Sequence, residues 1–202
     1  MLIWMVRHGE TEWNHQSRYQ GHTDVPLNEV GIIQSRQAAE RLASEPITAV
    51  YSSDLTRART TAEIIAASHG LTVRVKKGLR ESNYGKWEGM TFKEIKAVYP
   101  GAIERWLDNP QGSRPPDGES LWEVRERALA AVDEIRGENP EDSSLVIVTH
   151  GGVIAMLLMT YLKEGPEFLR RFFGRNASIS KIEFRGEDVE VLEWSDASHL
   201  ER

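Results

Sequence analysis

The sequence predicts a three-layer α/β/α fold with a mostly parallel central sheet and an antiparallel edge. Short apolar runs alternate with stretches of helical periodicity along most of the chain. Two of those runs, Leu2 to Val6 and Leu145 to Val148, are apolar at every position, as strands covered on both faces require. The last segment changes period: Ile179 to Phe184 and Val189 to Trp194 alternate around the polar turn Arg185-Gly186-Glu187-Asp188, which describes a hairpin closing the sheet with an antiparallel edge.

The elements follow in order. Leu2 to Val6 is the first strand, and a polar loop leads from it to a helix over Asn28 to Leu42, with Asn28 placed as its N-cap. Ala49 to Tyr51 is a short strand. Ser52-Ser53-Asp54 then offers caps for a helix running to about Ser68, stopped by Gly70, and Thr72 to Val75 reads as the third strand. Between Gly78 and Gly118 the pattern is irregular, with short helical pieces at Phe92 to Val98 and Ile103 to Leu107 and a Pro- and Gly-rich loop from Asn109 to Gly118. This stretch is expected to be a site-shaping insertion within one domain spanning 1–202. Ser120 to Ile135 is helical, Leu145 to Val148 is a buried strand, and Val153 to Leu162 is an apolar helix.

Composition narrows the function classes. A chain of 202 residues can bury one sizeable core. Its net charge of −6 argues against a general nucleic-acid binder, so any anion site must be local. No apolar run is long enough for a bilayer, and the Met1 to Val6 run lacks a basic flank and a cleavage site, which predicts a cytoplasmic protein with no membrane partner. The absence of cysteine excludes disulfides and thiolate metal sites. No metal-ligand cluster stands out, and the oligomeric state is left open, a homo-oligomer included.

The chemistry concentrates at strand ends. Arg7-His8-Gly9 stands where the first apolar run stops, at the carboxyl edge where ligand sites of such sheets form. A neutral imidazole there can act as a nucleophile, and the adjacent guanidinium offers a fixed fork of donors suited to phosphate. A histidine beside a glycine is often only a turn residue. The same arrangement recurs at the end of Leu145 to Val148, where Thr149 leads into His150-Gly151-Gly152, and the repetition favours function. His15, His22, His69 and His199 lack this setting, and surface placement is expected for each, with His22 close to the loop discussed below. Arg57 falls in a first helical turn, unfavourable for a cation beside the macrodipole unless an anion is near. Glu81 follows the third strand and is the best candidate for a general acid.

Arg7-His8-Gly9-Glu10-Thr11, Trp13-Asn14 and the late Thr149-His150-Gly151 resemble the signature of the histidine phosphatase superfamily, whose fold is shared with cofactor-dependent phosphoglycerate mutases. Tyr19 to Asp24 with Pro26-Leu27, Ser52 to Ala58, Glu81, Gly85, Trp87-Glu88-Gly89 and Gly118-Glu119-Ser120 extend the likeness over nearly the whole chain. The resemblance implies that His8 is the phosphorylated nucleophile, that Arg7, Arg57 and His150 hold the phosphoryl oxygens, and that Glu81 is the proton donor. Asn14, Gln20, Gly21 and Gly151 match positions that bind phosphate or substrate. It implies no metal and no other cofactor, because two arginines and a protonatable histidine supply the positive charge. His8 must be neutral to attack, with its tautomer fixed through its other nitrogen, and Glu81 must start protonated.

The partner expected is a small phosphorylated metabolite. The segment from Glu81 to Gly118 is short and carries Tyr84, Trp87 and Trp106, whereas the resembling mutases have a longer insertion with an Arg-rich wall. That contrast favours hydrolysis. An α-ribazole 5′-phosphate phosphatase, a cofactor-dependent phosphoglycerate mutase and a silent phosphate-binding module remain alternatives. For each of the three aromatic residues, core packing is weighed above a pocket role.

Overall fold

The strands are β1 (Leu2–Arg7), β2 (Ala49–Ser52), β3 (Val73–Val75), β4 (Ser144–Thr149), β5 (Ile179–Arg185) and β6 (Asp188–Asp196), joined in one sheet in the order β3-β2-β4-β1-β5-β6. The computed structural model describes residues 1–172 and 174–200; position 173 and the last two positions of the 1–202 span lie outside the described residues. Strands β3, β2, β4 and β1 run parallel, β5 pairs antiparallel with β1, and β6 pairs antiparallel with β5. This is the mostly parallel sheet with an antiparallel edge that the sequence predicts.

Eight helices pack around it among the described residues: α1 (Glu12–His15), α2 (Glu29–Leu42), α3 (Thr56–Ala67), α4 (Phe92–Val98), α5 (Ala102–Asp108), α6 (Leu121–Gly137), α7 (Gly151–Tyr161) and α8 (Glu167–Arg171). Because strand side chains alternate between faces, β1 sends Ile3 and Met5 to one layer and Trp4 and Val6 to the other. Ile3, Met5, Leu145 and Ile147 pack with Val124, Val132 and Ile135 of α6 and with α7. On the opposite face Trp4, Val6, Val146 and Val148 pack with Ala38 and Leu42 of α2 and Ala58, Ala62 and Ile65 of α3. Trp87, Ile95, Ile103 and Trp106 from the irregular stretch join the α6 side of this core, so that stretch is anchored on the same apolar layer as the sheet. No helix among the described residues is long and apolar enough to cross a membrane.

Capping follows the sequence in places and departs from it in one. Asn28 accepts from Gly31 N at 2.8 Å, and Ser120 forms a capping box with Glu123, accepting from its N–H at 3.2 Å. Helix α3 is different: Leu55 occupies the N-cap position with no side-chain bond, and the expected caps are engaged elsewhere. Ser52 Oγ donates to Ser53 O at 2.7 Å, and Asp54 accepts two bonds from Arg80 at 2.6 and 2.5 Å. The first turn is satisfied instead by Asp24, which accepts from Thr56 N at 2.8 Å and from its hydroxyl at 2.7 Å.

His199 corrects its expected surface placement. It is buried in the turn Ser198–Leu200 that folds back against α2, with Nε2 3.0 Å from Ala177 O. His15 is exposed, and His22 and His69 are half-buried.

The segment after β1 approaches α2 closely. A Cβ on Gly31 would fall within van der Waals contact of the Glu10 carbonyl, and one on Gly9 would meet the Gly31 carbonyl. Alanine is the better helix former by about 1 kcal/mol, yet overpacking here costs about 1–3 kcal/mol. Gly31→Ala should therefore lower the urea midpoint with an unchanged m-value; a higher midpoint would show that α2 can move away freely.

Candidate active site

The pairing of β1 with β4 is parallel and in register, Leu2 opposite Ser144 through Arg7 opposite Thr149, so the two strands end level and their following residues emerge together. His8 N donates to Thr149 O at 3.0 Å, and the rings of His8 and His150 lie edge to face with centroids 5.1 Å apart. His8 Nδ1 is 2.7 Å from Gly9 O, and since a carbonyl only accepts, Nδ1 carries the proton and Nε2 keeps its lone pair. Gly9 N in turn donates to Thr61 Oγ1 at 3.1 Å, and Thr61 donates to Arg57 O at 2.9 Å, which ties the loop to α3.

Two guanidiniums flank this ring. Arg7, the last residue of β1, donates through Nη1 to Gly174 O, while its buried Nε has no partner. Arg57, in the first turn of α3, is 0% exposed and donates to Gly21 O at 2.7 Å and Thr23 O at 2.9 Å, again with Nε unpartnered. Both are held by neutral carbonyls. Among the described residues neither forms an ion pair, unusual for buried charge and suited to an incoming anion. Burial pushes His8 well below the ordinary histidine range, and the charges of Arg57 and Arg7 push it further. His150, fully buried with both ring nitrogens unpartnered, is driven down by burial and then by Arg57 and His8. Both rings are therefore neutral.

Glu81 reaches the same place from the turn after β3. It is 9% exposed, with Oε1 accepting from Ser82 N at 2.8 Å and Oε2 from Gly152 N at 3.1 Å. Its carbonyl is fixed by Arg127 of α6 at 2.8 Å and by His22 Nε2 at 3.0 Å, and Arg127 also binds the carbonyls of Gly78 and Arg80 and both oxygens of Glu119.

Asn14 and Gln20 are oriented by their oxygens. Asn14 Oδ1 accepts from Thr11 N at 3.2 Å, and Gln20 Oε1 accepts from Thr11 Oγ1 at 2.9 Å, which leaves both NH₂ groups for the cleft that these residues line. Gly21 acts one step back: at φ +55° its carbonyl holds Arg57, and a Cβ there would strike Glu88. Gly151 opens α7 against Arg7, where a Cβ would lie 3.3 Å from Cζ. His150, expected at the phosphoryl oxygens, is packed beside His8 and does not line the cleft itself.

Several supporting residues carry no site signal of their own in the sequence, Glu88 entering only as part of the family likeness. Gly152 must lack a side chain, since a Cβ would lie 2.5 Å from Glu81 Oε1; the glycine doublet is visible, but its partner is 71 residues away. Glu88 organises the loop below Arg57, accepting from His22 N at 2.8 Å and Thr23 N at 3.0 Å. Arg127 reads as an ordinary helix-surface arginine. Asn176, in the turn before β5, donates to Asn14 Oδ1 at 3.1 Å.

Arg7, His8, Asn14, Arg57, Glu81 and Tyr84 enclose a polar cleft of about 190 Å³. It adjoins a cavity of about 520 Å³ that shares Arg7, Tyr19, Glu81 and Tyr84 and is otherwise lined by Trp106, Leu107, Leu121, Ala155, Leu169 and Phe172, with Arg175 also on its wall. Trp87 is core, as weighed from the sequence, whereas Tyr84 and Trp106 serve both packing and the cavity wall. A hollow of about 590 Å³ at the other end of the sheet, beside Met1 and Phe184, contains neither a nucleophile nor His–Arg convergence. Among the described residues no group of three or more histidine, aspartate or glutamate side chains is arranged to hold a metal ion.

Known proteins share this geometry's framework. The family description that matches residues 3–197 is the histidine phosphatase superfamily (branch 1). The chain is 39% identical over 204 residues to phosphoglycerate mutase-like protein 4 of Arabidopsis thaliana, covering 98% of this chain and 86% of that one. It is similar in structure to Bacillus stearothermophilus YhfR, with a TM-score of 0.92, 33% identity and 99% of each chain covered. It is also similar to a mycobacterial glucosyl-3-phosphoglycerate phosphatase complexed with VO3, with a TM-score of 0.89, 34% identity, and 97% of this chain and 99% of that one covered. Because these likenesses run through the very strands whose ends carry His8 and His150, the chain belongs to the histidine phosphatase superfamily.

Proposed function

We propose that the protein is a metal-independent phosphomonoester hydrolase of the cytoplasm, one domain in extent, working through a phosphohistidine on His8. The observation that carries this reading is a neutral imidazole with a free Nε2, flanked by the buried Arg57 and the half-buried Arg7, neither of which bonds a carboxylate. A phosphate dianion in the cleft would take the open donors of Arg7, Arg57, Asn14 and Gln20. Its negative charge would also favour protonation of His150, adding a third cation only when substrate is present. Nε2 of His8 then attacks phosphorus in line, the bond to the alcohol oxygen breaks, and Glu81 gives that oxygen a proton. Water attacks the phosphohistidine in the second step, Glu81 takes its proton, and inorganic phosphate leaves.

The cavity beyond Glu81 bears on the leaving group. Tyr19 and Tyr84 meet edge to face at 5.0 Å, and Tyr84 and Trp106 at 5.7 Å, so the wall next to the departing oxygen is aromatic. Such a wall suits an alcohol with a bulky, uncharged apolar or aromatic body. Phosphoryl return to a phosphoglycerate would instead need a cation for its carboxylate. Arg175 favours that second reading, and the apolar remainder of the cavity weighs against it.

His8→Ala should abolish turnover of p-nitrophenyl phosphate, and rapidly acid-quenched wild-type enzyme should carry an acid-labile phosphoryl group on His8, with activity unchanged in EDTA. Retained activity in the variant would remove the mechanism. Absence of turnover in the wild type would leave a phosphate-binding module.

Glu81→Gln should separate leaving groups, because an alkoxide needs the proton and p-nitrophenolate does not. The expected loss on an alkyl phosphate is about 10²–10⁴-fold, with a far smaller loss on p-nitrophenyl phosphate while phosphorylation limits the rate. If dephosphorylation limits, single-turnover kinetics should show phosphoenzyme accumulating. Equal small losses throughout would move the acid role to Glu10 or Glu88.

Ala155→Phe on α7 should fill the apolar cavity and lower kcat/KM for 1-naphthyl phosphate by on the order of 10-fold or more, while methyl phosphate is little affected. Equal effects on both substrates would place the leaving group elsewhere.

A further inference from the structure

We propose that Asn176 is a positioning residue that dictates which nitrogen of His8, and which end of the Asn14 amide, is presented to substrate. The proposal rests on His8 being the nucleophile, but its geometry is independent of turnover. Asn176 lies 168 residues from His8 in sequence, and its Nδ2 sits 3.1 Å from His8 O, 3.3 Å from Gly9 O and 3.1 Å from Asn14 Oδ1. An amide NH₂ has two hydrogens, so one serves Asn14 and the other is shared between the two carbonyls.

Gly9 O is the acceptor that holds the proton of His8 Nδ1, at 2.7 Å. A carbonyl has two lone pairs, and Asn176 takes the second, which fixes the peptide plane to which the imidazole is tethered. This matters because a free neutral histidine prefers its proton on the other nitrogen, where it would block attack. The contact to Asn14 works in parallel: Asn14 Oδ1 accepts from both Asn176 and Thr11 N, so the amide cannot turn over and offer oxygen to an anion.

The backbone beside Asn176 gives an independent indication. Ala177 is fully buried at φ +55°, a left-handed conformation that glycine adopts freely and alanine does not. Its N–H donates to the same His8 carbonyl at 3.1 Å. Strain of this kind persists where the surroundings demand one geometry, and here the demand falls on the carbonyl of the proposed nucleophile.

Long-range ¹H–¹⁵N NMR of the ring nitrogens, with His8 assigned through His8→Ala, tests this on resting enzyme without substrate. Wild type should show His8 protonated at Nδ1. Asn176→Ala should keep its thermal midpoint within a few degrees, show mixed His8 tautomers, and lose on the order of 10- to 100-fold in kcat/KM for p-nitrophenyl phosphate. Asn176→Asp, close to isosteric, should move the acid limb of the kcat/KM profile to higher pH, because a carboxylate beside His8 favours its imidazolium. A wild-type proton on Nε2 would overturn the proposal, as would a slowed Asn176→Ala variant with an unchanged tautomer. If Asn176→Ala fails to fold, the wild-type tautomer and the Asn176→Asp profile decide. Failure of phosphohistidine trapping with the Nδ1 proton in place would count against the nucleophile and not against Asn176.

Discussion

The level, in-register ending of β1 and β4 is the constraint on which the site depends. Parallel strands bring residues together only by register, and the slip of one residue would send each side chain to the opposite face. Here Arg7 stands opposite Thr149, so His8 and His150 leave the sheet at the same height, and Thr149 Oγ1 reaches across to Leu79 O at 2.7 Å to tie in the turn that delivers Glu81. Apolar residues throughout both strands hold that register, since Ile3, Trp4, Met5, Val6 and their β4 partners are all buried. The core and the chemistry are thus joined by one ladder of backbone hydrogen bonds.

Charge placement around that ladder works against stability and for binding. Burying a guanidinium costs several kcal/mol, and bonds from charged donors to carbonyls return about 1.5–3 kcal/mol each. Arg57 donates two such bonds and Arg7 one, none of them to a carboxylate. The nearest acid, Glu81, is engaged by the N–H groups of Ser82 and Gly152. The two guanidiniums of the 190 Å³ cleft therefore have no directly bonded carboxylate, and Glu81 acts on them only through space. Burial first, and then the same field that favours an anion, hold His8 well below the ordinary histidine range, so the arrangement that would bind phosphate also suits the proposed nucleophile.

Much of this was legible in the sequence because it is local. The apolar runs gave β1 and β4 and strand-end placement brought out His8 and His150, whereas the first-turn position of Arg57 alone reads sooner as a surface arginine and gains weight only through the family resemblance. What the sequence could not display are contacts made at long separation. Asp24 caps α3 from another loop, and it displaces Ser52 to Asp54, whose side chains are already bound. Arg127 holds the Glu81 turn from the middle of α6, Gly152 is shaped by a carboxylate from a distant turn, and Asn176 approaches from before β5. His199 looks solvent-facing among polar neighbours, but the chain end returns to cover it. Each of these depends on where the fold brings a residue, which no periodicity encodes.

The two adjoining spaces also bear on the proposed chemistry. Glu81 and Tyr84, with Arg7 and Tyr19, belong to both the polar cleft and the apolar cavity, and in the proposed reaction the bridging oxygen of a phosphoester would sit at the boundary between them. Tyr84 is half-buried, and its hydroxyl is held well above the ordinary phenol range by loss of solvent and then by Glu81, which leaves it a neutral donor at that boundary. On the cleft side the fixed charges favour the phosphoryl group; on the cavity side the aromatic wall favours an uncharged body. A substrate can satisfy both only with its phosphate toward His8 and its bridging oxygen toward Glu81. On the proposed mechanism the departing alcohol would leave on the cavity side, while Glu81 stays open to water from the cleft side as well. The shared wall would thus let one carboxylate serve both proposed steps, giving a proton to the alcohol on the cavity side and taking one from water.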